Sequence, residues 1–384
     1  MDYKKIIKIV LIVLIIAGIG AGIYFLWNRL NSSGGITGII SGGETPTTSV
    51  VETGAGGTTT TTTEAETATQ EPQVITQKLS VLINSPVFEY WLSSKDNSLY
   101  FANLDGQIIK INSDGSRSLA SSQTLNNLHD ITSSADGSMV IAEFNYPELP
   151  SLSVFSASSA SWKPLPPGTI SAAFSPDSKK IAYTDQSALR TLDLATQKTD
   201  EIQKMSQVGF KLNWLKTSEI FFYEEPSIET ISRFYSFNLT AKTFTNIMDG
   251  QFGVDVLWSK DGKQGIRLAS ISRIPKLELI NEFGDADIRF TFLTVPEKCL
   301  LETAKIYCGV PKNIRNGIIL PDDYYKKKDY FVDDIFELDL PTGKITKIFD
   351  GNESSIDASD LKIKDGALLF INRYDNKVYS LSLK

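Results

Sequence analysis

Short apolar runs separated by polar turns recur along most of the chain, and each run has the length of a β-strand. Residues 174–183, FSPDSKKIAY, show the unit: an aromatic residue, a polar turn at Pro176 and Asp177, and an apolar run from Ile181 to Tyr183. Proline and aspartate favour tight turns, whereas short apolar runs of this composition favour strands. The stretch therefore predicts a β-hairpin.

The hairpin recurs at a nearly constant spacing. Polar turns centre on residues 96, 136, 177, 217, 261, 303 and 365, so successive turns lie 40 to 44 residues apart, except for a last step of 62 residues. Third and fourth strand-like runs follow, as in residues 336–340 and 344–348. A period of about 40–45 residues with four strands per repeat is typical of β-propellers. We predict an all-β fold, a seven-bladed β-propeller with four-stranded blades, over residues 74–384.

The two ends of this region complement each other. The last repeat has only three strand-like runs before Lys384, and residues 75–82, ITQKLSVL, resemble the fourth strands of other repeats. An N-terminal strand that completes the last blade would close the ring and leave no open sheet edge there. The alternative is an accidental match in a short segment of high β-propensity.

The stretch FSPDSKKIAY resembles the WD40-like (PD40) repeat of TolB-type bacterial propellers. Only this copy is close, and others, such as residues 258–262, WSKDG, match in part. The resemblance implies a propeller outside the cytoplasm with an interaction-type role, and it carries no catalytic residue over to this chain.

The N-terminus carries a candidate membrane anchor. Residues 9–27 contain no charged side chain, and 19 helical residues just span a hydrocarbon core of about 30 Å. Lys4, Lys5 and Lys8 precede the run, which by the positive-inside bias leaves the N-terminus in the cytoplasm and the rest outside. We expect residues 1–30 to form a cytoplasmic tip and a single-pass transmembrane helix at the cell membrane. The alternative is a cleaved signal peptide.

Residues 31–73 have a different composition, rich in glycine, serine and threonine, with six consecutive threonines at positions 58–63. Such a segment buries too little apolar surface to offset the entropy of ordering. We predict a disordered stalk between the anchor and the propeller.

Charge and residue usage exclude several functions. The net charge is −7, and the only lysine-rich run in the globular part is residues 326–328, so we expect no nucleic acid partner. The chain contains two cysteines and one histidine, and we expect no metal and no cofactor.

Cys299 and Cys308 flank one predicted hairpin. With Thr303 and Ala304 as a two-residue turn, the cysteines face each other at a non-hydrogen-bonded pair, where Cα atoms are about 4.5 Å apart. That separation fits disulfide geometry, and an exported domain meets an oxidising compartment. We predict a disulfide, with two reduced core thiols as the alternative.

The longest insertions fall on the propeller face opposite the turns of the first hairpins. The largest runs from Gly309 to Phe331 and includes LPDDYYKKKDYF from Leu320. Tyrosine-rich polar loops on a rigid scaffold are typical recognition surfaces. The alternative is a covering loop whose aromatic side chains pack on the sixth blade. The binding-face candidates are Tyr146, Asp322, Asp323, Tyr324, Tyr325, Lys326, Tyr330 and Phe331.

Inner strands of a propeller line a central channel, so polar residues at their starts are candidates for chemistry. The channel candidates are Glu89, His129, Asp130, Lys211, Asp255, Lys298, Asp357 and Asp360. Converging carboxylates would suit cation binding or acid–base work on a glycoside, whereas the simpler interpretation is a hydrated polar channel.

These patterns lead to one functional hypothesis and two alternatives. The first is a non-enzymatic, membrane-tethered propeller outside the cytoplasm that binds a cell-envelope protein or a surface polymer. The second is a carbohydrate-active enzyme, a hydrolase or lyase, that uses the channel carboxylates. The third is a structural spacer with no tight ligand.

Overall fold

A computed structural model describes residues 79–383, apart from residues 272–273. In that part of the chain the backbone forms 27 strands, one short α-helix, α1 (Asp322–Tyr325), and one 3₁₀ turn (Pro296–Lys298). The predicted anchor at residues 9–27, the predicted stalk and residues 75–78 lie outside the described residues. No helix within the described ranges is long and apolar enough to cross a membrane.

The strands form antiparallel sheets in which neighbours along the chain pair with each other. Three sheets occupy the first part of the chain. Their strands are β2 (Val87–Leu92), β3 (Leu99–Asn103), β4 (Ile108–Ile111) and β5 (Arg117–Ser121); β6 (Asp130–Ser133), β7 (Met139–Phe144), β8 (Ser151–Ser156) and β9 (Ser161–Pro164); and β10 (Ser171–Phe174), β11 (Lys180–Thr184), β12 (Ala188–Asp193) and β13 (Thr199–Lys204).

A seven-stranded sheet follows, because one long strand, β17, pairs with β16 along its first half and with β18 along its second half. Its strands are β14 (Lys211–Lys216), β15 (Glu219–Tyr223), β16 (Ile231–Asn238), β17 (Thr243–Trp258), β18 (Gln264–Ile271), β19 (Ile274–Asn281) and β20 (Ala286–Arg289). The next four-stranded sheet contains β21 (Cys299–Leu301), β22 (Lys305–Pro311), β23 (Asp333–Asp339) and β24 (Lys344–Phe349).

The last sheet joins the two ends of the described chain. Its order is β1 (Leu79–Ile83), β27 (Lys377–Ser382), β26 (Ala367–Asn372) and β25 (Ala358–Lys364). β1 pairs antiparallel with β27, with Leu79 opposite Leu381. The N-terminal strand therefore completes the C-terminal sheet, as the sequence predicts.

Bulky residues before the predicted turns form the contacts between neighbouring sheets. All of them are at most 8% exposed: Trp91, Ile131, Phe174, Trp214, Trp258, Cys299 and Leu361. Trp91, for example, packs with Ile131 and Val140 of the following sheet. A further cluster packs Tyr90 and Phe101 of the first sheet against Leu369 of the last. Buried apolar area between sheets is the main stabilising term here.

The turn at Asp177 is scaffold. Ser175 donates its hydroxyl to Asp177 Oδ1 at 2.6 Å, Asp177 Oδ1 accepts the Lys179 backbone N–H, and Ser175 Oγ accepts the Lys180 N–H. The same arrangement occurs at Ser134–Asp136 and at Ser259–Asp261. Side-chain hydrogen bonds to turn backbone explain why Ser-x-Asp marks these hairpins.

Candidate functional site

The insertion, residues 312–332 between β22 and β23, is tied by Asp322 to the segment between β15 and β16, two repeats earlier. Its Oδ2 atom accepts the Ile228 backbone N–H at 2.7 Å, and its Oδ1 atom pairs with Lys326 at 3.1 Å. Asp323 accepts the Ile319 N–H at 2.9 Å within the insertion. Both carboxyl groups are buried, so they hold the insertion in place.

A fully buried ion network lies beneath the insertion. Lys298 Nζ is 2.7 Å from Asp333 Oδ2 and also contacts Asp357, and none of the three side chains is exposed. Arg373 Nη1 lies 2.7 Å from the other oxygen of Asp357. Asp357 and Lys298 are channel candidates by sequence, but the structure encloses both in protein. They stabilise the fold and do not line an open channel.

Above this network, four side chains form a continuous stack, which we call the tyrosine–arginine stack. The Arg373 guanidinium carbon is 3.8 Å from the ring centroid of Tyr324 and 5.0 Å from that of Tyr330. Tyr330 in turn stacks on Tyr374, with centroids 5.7 Å apart. Exposure rises along the stack, from 1% at Tyr324 to 46% at Tyr374. The exposed pair is therefore fixed from below.

Tyr325 connects the insertion to the channel. Its hydroxyl donates to Asp255 Oδ2 at 2.6 Å, and burial raises the pKa of Asp255 to about 6 although this hydrogen bond opposes the shift. The surrounding protein likewise raises the pKa of Glu297 to about 7, with Asp360 and Asp255 adding to the shift and Arg373 opposing it. Carboxyl groups that titrate near neutrality suit proton transfer.

On the other side of the channel, His129 and Tyr146 stack with ring centroids 3.7 Å apart. Lys211 pairs with Glu143 at 3.1 Å and with Glu225 at 3.5 Å. Burial lowers the pKa of Lys211, but the charge and hydrogen bond of Glu143, together with the charges of Glu225 and Asp130, outweigh it, and the net shift is upward. The neighbouring Asp130 is exposed and accepts a hydrogen bond from Thr132.

A cavity of about 610 Å³ occupies the channel and opens among the turns of the first hairpins. Serines and leucines are the most frequent residues in its wall, and Glu297, Asp360 and Lys362 also line it. Lys362 pairs with Glu89 at 3.3 Å and also contacts Asp360. The cavity volume falls within the range of ligand sites, about 300–1,000 Å³.

The structure thus divides the binding-face candidates into two groups. Asp322, Asp323, Tyr324 and Phe331 are at most 9% exposed and pack the insertion onto the fold. Tyr146, Tyr325, Lys326 and Tyr330 are exposed. The insertion therefore both covers its neighbours and presents side chains.

Sequence reasoning did not single out Arg373, Tyr374, Asp333, Glu297 or Lys362. Arg373 and Tyr374 lie in the short turn between β26 and β27, which has no unusual length or composition. Glu297 directly precedes Lys298, and the sequence pattern predicts that the inner strand starts at Lys298, one residue after Glu297. Only its position before an inner strand signals a place in the channel.

The cysteines confirm the predicted register. Cys299 and Cys308 are direct partners in the β21–β22 pair, their Cα atoms are 4.1 Å apart, and their sulfur atoms form a disulfide. Within residues 79–271 and 274–383, no group of three histidine, cysteine or acidic side chains is arranged to hold a metal ion.

No protein-family model matches the chain, and no curated protein matches it. Solved structures do match. An oligogalacturonate lyase in complex with manganese aligns with a TM-score of 0.56 at 10% identity, over 82% of this chain and 95% of the lyase. The tricorn protease aligns with a TM-score of 0.51 at 11% identity, over 81% of this chain and 34% of that protein, so the chain spans about a third of its length.

The β-propeller domain of Cps50 (Swd1) from Myceliophteria thermophila aligns over 80% of this chain and all of that domain, with a TM-score of 0.49 at 8% identity. TolB from Acinetobacter baumannii also matches, with a TM-score of 0.37, and neither this alignment nor that of Cps50 carries an argument. At the identities of the lyase and the tricorn protease the likeness concerns the fold alone. The successive four-stranded antiparallel sheets, with the last one completed by the first strand, are a β-propeller architecture.

Proposed function

We propose that this propeller has seven blades and acts as a binding scaffold at the cell envelope. The blade count treats the seven-stranded sheet as two blades that share β17, whose two halves pair with different neighbours. Seven clusters of buried side chains among the described residues support this count. Six of them join consecutive repeats, and the seventh joins the last repeat to the first.

We further propose that residues 9–27 tether the propeller to the membrane and that it lies outside the cytoplasm. The uncharged apolar run and the lysines before it support this orientation. The Cys299–Cys308 disulfide is consistent with it, because disulfides persist mainly in oxidising compartments.

The tyrosine–arginine stack carries the binding proposal. Tyr330 and Tyr374 expose 41% and 46% of their surface, and Arg373 holds Tyr330 in position through its bond to Asp357. Aromatic side chains that are already ordered lose little conformational entropy when a partner covers them, which favours affinity. We propose a cell-envelope protein or a surface polymer as the partner.

Cross-linking of the full-length chain in its native membranes tests this scaffold. We expect the wild type to give a defined cross-linked partner, Tyr330→Ala combined with Tyr374→Ala to lose it, and Phe283→Ala to retain it. Phe283 is 69% exposed and lies in the turn between β19 and β20, on the side of the first-hairpin turns. Capture that is equal in all three proteins, or absent from the wild type, contradicts the proposal.

A carbohydrate-active enzyme is the second candidate, and the raised pKa values of Asp255 and Glu297 favour it. A carboxyl group that stays protonated near neutral pH can serve as a general acid toward a glycosidic oxygen. Oligosaccharide turnover by the wild type, lost in Asp255→Asn or Glu297→Gln and kept in Asp130→Asn, would favour this function over the scaffold. Absence of turnover on a broad glycan panel would leave the scaffold as the better account.

A further inference from the structure

The seam between the last and the first sheets contains two carboxyl groups and one lysine. Glu89 comes from β2, and Asp360 and Lys362 come from β25. Lys362 Nζ is 3.3 Å from Glu89 Oε1 and also contacts Asp360 Oδ1. About a quarter of each side chain is exposed, at 26%, 24% and 24% respectively. One ammonium group cannot neutralise two carboxylates, so one negative charge remains uncompensated.

The second carboxylate oxygen of Asp360 lacks a hydrogen-bond donor within the described part of the chain. Oδ2 of Asp360 is buried and accepts no hydrogen bond from any described residue. A buried carboxylate oxygen without a donor is costly in free energy. If the neighbouring Glu89 carboxyl group is protonated, its O–H can donate to this oxygen.

The backbone holds Asp360 in this position. Asp360 has a φ of 51°, in the left-handed region, and lies in the irregularity of the β25–β26 pair between Ser359 and Lys362. The Tyr90 hydroxyl donates to the Asp360 carbonyl at 2.8 Å, and Lys362 Nζ lies 4.2 Å from the Tyr90 ring centroid. A non-glycine residue in this region is uncommon, and such conformations persist where the surrounding contacts impose them.

We propose that Glu89 and Asp360 share one proton, and that its loss as the pH rises weakens the closure of the ring between the last and first sheets. Two adjacent carboxyl groups cannot both ionise at low cost in a partly enclosed site. With the proton in place, Asp360 Oδ2 gains its donor and Lys362 balances the single remaining charge. Without it, β2 and β25 repel each other across the seam.

The closure depends on non-covalent contacts, so such repulsion has a defined place to act. β1 pairs with β27, the Val87 backbone N–H donates to Asn376 O at 2.7 Å, and Lys364 Nζ donates to Asn97 Oδ1 at 2.9 Å. Each of these contacts joins the two ends of the described chain.

The sign of the pH effect follows from the shift at Glu89. Burial first and Asp360 second raise the pKa of Glu89 well above its ordinary value of 4.5, with Lys362 opposing. A raised acid pKa contributes stability that is present below the ordinary value and is lost as the pH rises through the folded-state value. Other titratable or charged groups near this pair or near Glu297 are Tyr90, Glu297 itself, Asp255, Arg373 and the buried Lys298. The shifts at Glu297 and Asp255 have the same sign, so a wild-type pH profile alone does not isolate the pair.

A comparison of variants at several pH values isolates it. In Glu89→Gln the amide donates permanently to Asp360 and carries no charge. From pH 5 to pH 8, the unfolding temperature of the full-length Glu89→Gln chain should increase relative to that of the wild type by at least about 2 °C. Glu297→Gln serves as a matched control, because it removes a neighbouring raised-pKa group that is not at the seam. The rate of amide hydrogen exchange in β1 and β27, corrected for intrinsic rates, should rise with pH in the wild type and in Glu297→Gln. It should not rise in Glu89→Gln.

Infrared spectroscopy tests the shared proton directly. At pH 6 the wild type should show more absorbance from protonated carboxyl groups than Glu89→Gln, because Glu297, Asp255 and Asp333 contribute to both spectra and only the shared proton differs. The proposal is overturned if Glu89→Gln follows the wild-type pH profile, or if it is destabilised equally at pH 5 and 8, as a simple ion pair with Lys362 requires. If Glu89→Gln does not fold, Asp360→Asn provides the same comparison, with the amide on the other partner.

Discussion

Arg373 lies flat on the ring of Tyr324, with its guanidinium carbon 3.8 Å from the ring centroid, and one of its nitrogens donates to the Tyr324 carbonyl at 2.8 Å. This contact joins the turn between β26 and β27 to α1 in the insertion. Because Arg373 also binds Asp357, the insertion, the buried ion network and the exposed tyrosines form one connected unit.

We expect Arg373→Ala to lower the free energy of unfolding by about 3 kcal/mol, because Asp357 loses a buried cationic partner. Arg373→Lys should be intermediate, since it keeps the charge but loses the planar contact with Tyr324. Denaturant unfolding measures the loss, and limited proteolysis should cut the insertion sooner in Arg373→Ala. Exposed Arg117 provides the control, and Arg117→Ala should change neither measurement.

Lys298→Met tests the fully buried part of the network. Removing the lysine leaves Asp333 and Asp357 adjacent without its charge, and we expect a loss of about 3–5 kcal/mol at pH 7. Burial already raises the pKa of Asp333 to about 6 against the effect of Lys298, so the variant shifts it further upward.

The loss in Lys298→Met should therefore shrink as the pH falls from 7 to 5, because one of the two carboxylates takes up a proton. Thermal unfolding at several pH values measures the trend. Lys260→Met, at a side chain that is 90% exposed, should be neutral throughout. A pH-independent loss in Lys298→Met would show that the charge balance is not its cause.

The disulfide should stabilise the fold because it lowers the conformational entropy of the unfolded chain. For a loop of this length the chain-entropy model gives about 2–3 kcal/mol, and we expect the Cys299→Ala, Cys308→Ala chain to lose that amount. Reductant should lower the wild-type unfolding midpoint and leave the double variant unchanged. Mass spectrometry of the untreated protein provides a direct test, and two free thiols would exclude the bond.

Asp177→Ala should cost about 1 kcal/mol, the value of its turn hydrogen bonds, and should leave partner cross-linking intact. The Ser175 hydroxyl lowers the pKa of Asp177, so its stabilising contribution is present above the ordinary value and is lost as the pH falls. Asp365→Asn, at a turn aspartate whose side chain is 74% exposed and whose φ of 51° asparagine also tolerates, should have little effect. Loss of cross-linking in Asp177→Ala, with stability retained, would assign Asp177 to the binding site.

Much of the fold could be read from the chain, because it depends on local order. The turn spacing located the first hairpin of every repeat, and the bulky residues before those turns are all buried. The register of the β21–β22 hairpin, and with it the cysteine pairing, followed from counting residues away from the turn. Only the unit after Asp261 is weakly patterned, and there Arg267 of β18 forms a buried ion pair with Glu278 of β19.

The site depended on contacts between residues distant in sequence. Asp357 and Lys298 have the same polar character as Glu89 and Asp255 and are predicted at the same strand starts, yet the first two are fully buried whereas the other two are partly exposed. Tyr324 and Tyr325 are neighbours, but one is 1% and the other 39% exposed.

Sequence by itself thus determined the repeat, the hairpin registers and the strand that joins the two ends, since each follows from turn chemistry and alternation over a few residues. Tertiary structure alone decided which charges are paired and which tyrosines reach solvent. Burial and pairing are properties of the packed neighbourhood, and here the insertion and the turn after β26 create that neighbourhood from segments about 50 residues apart, as the 49-residue separation of Arg373 and Tyr324 shows.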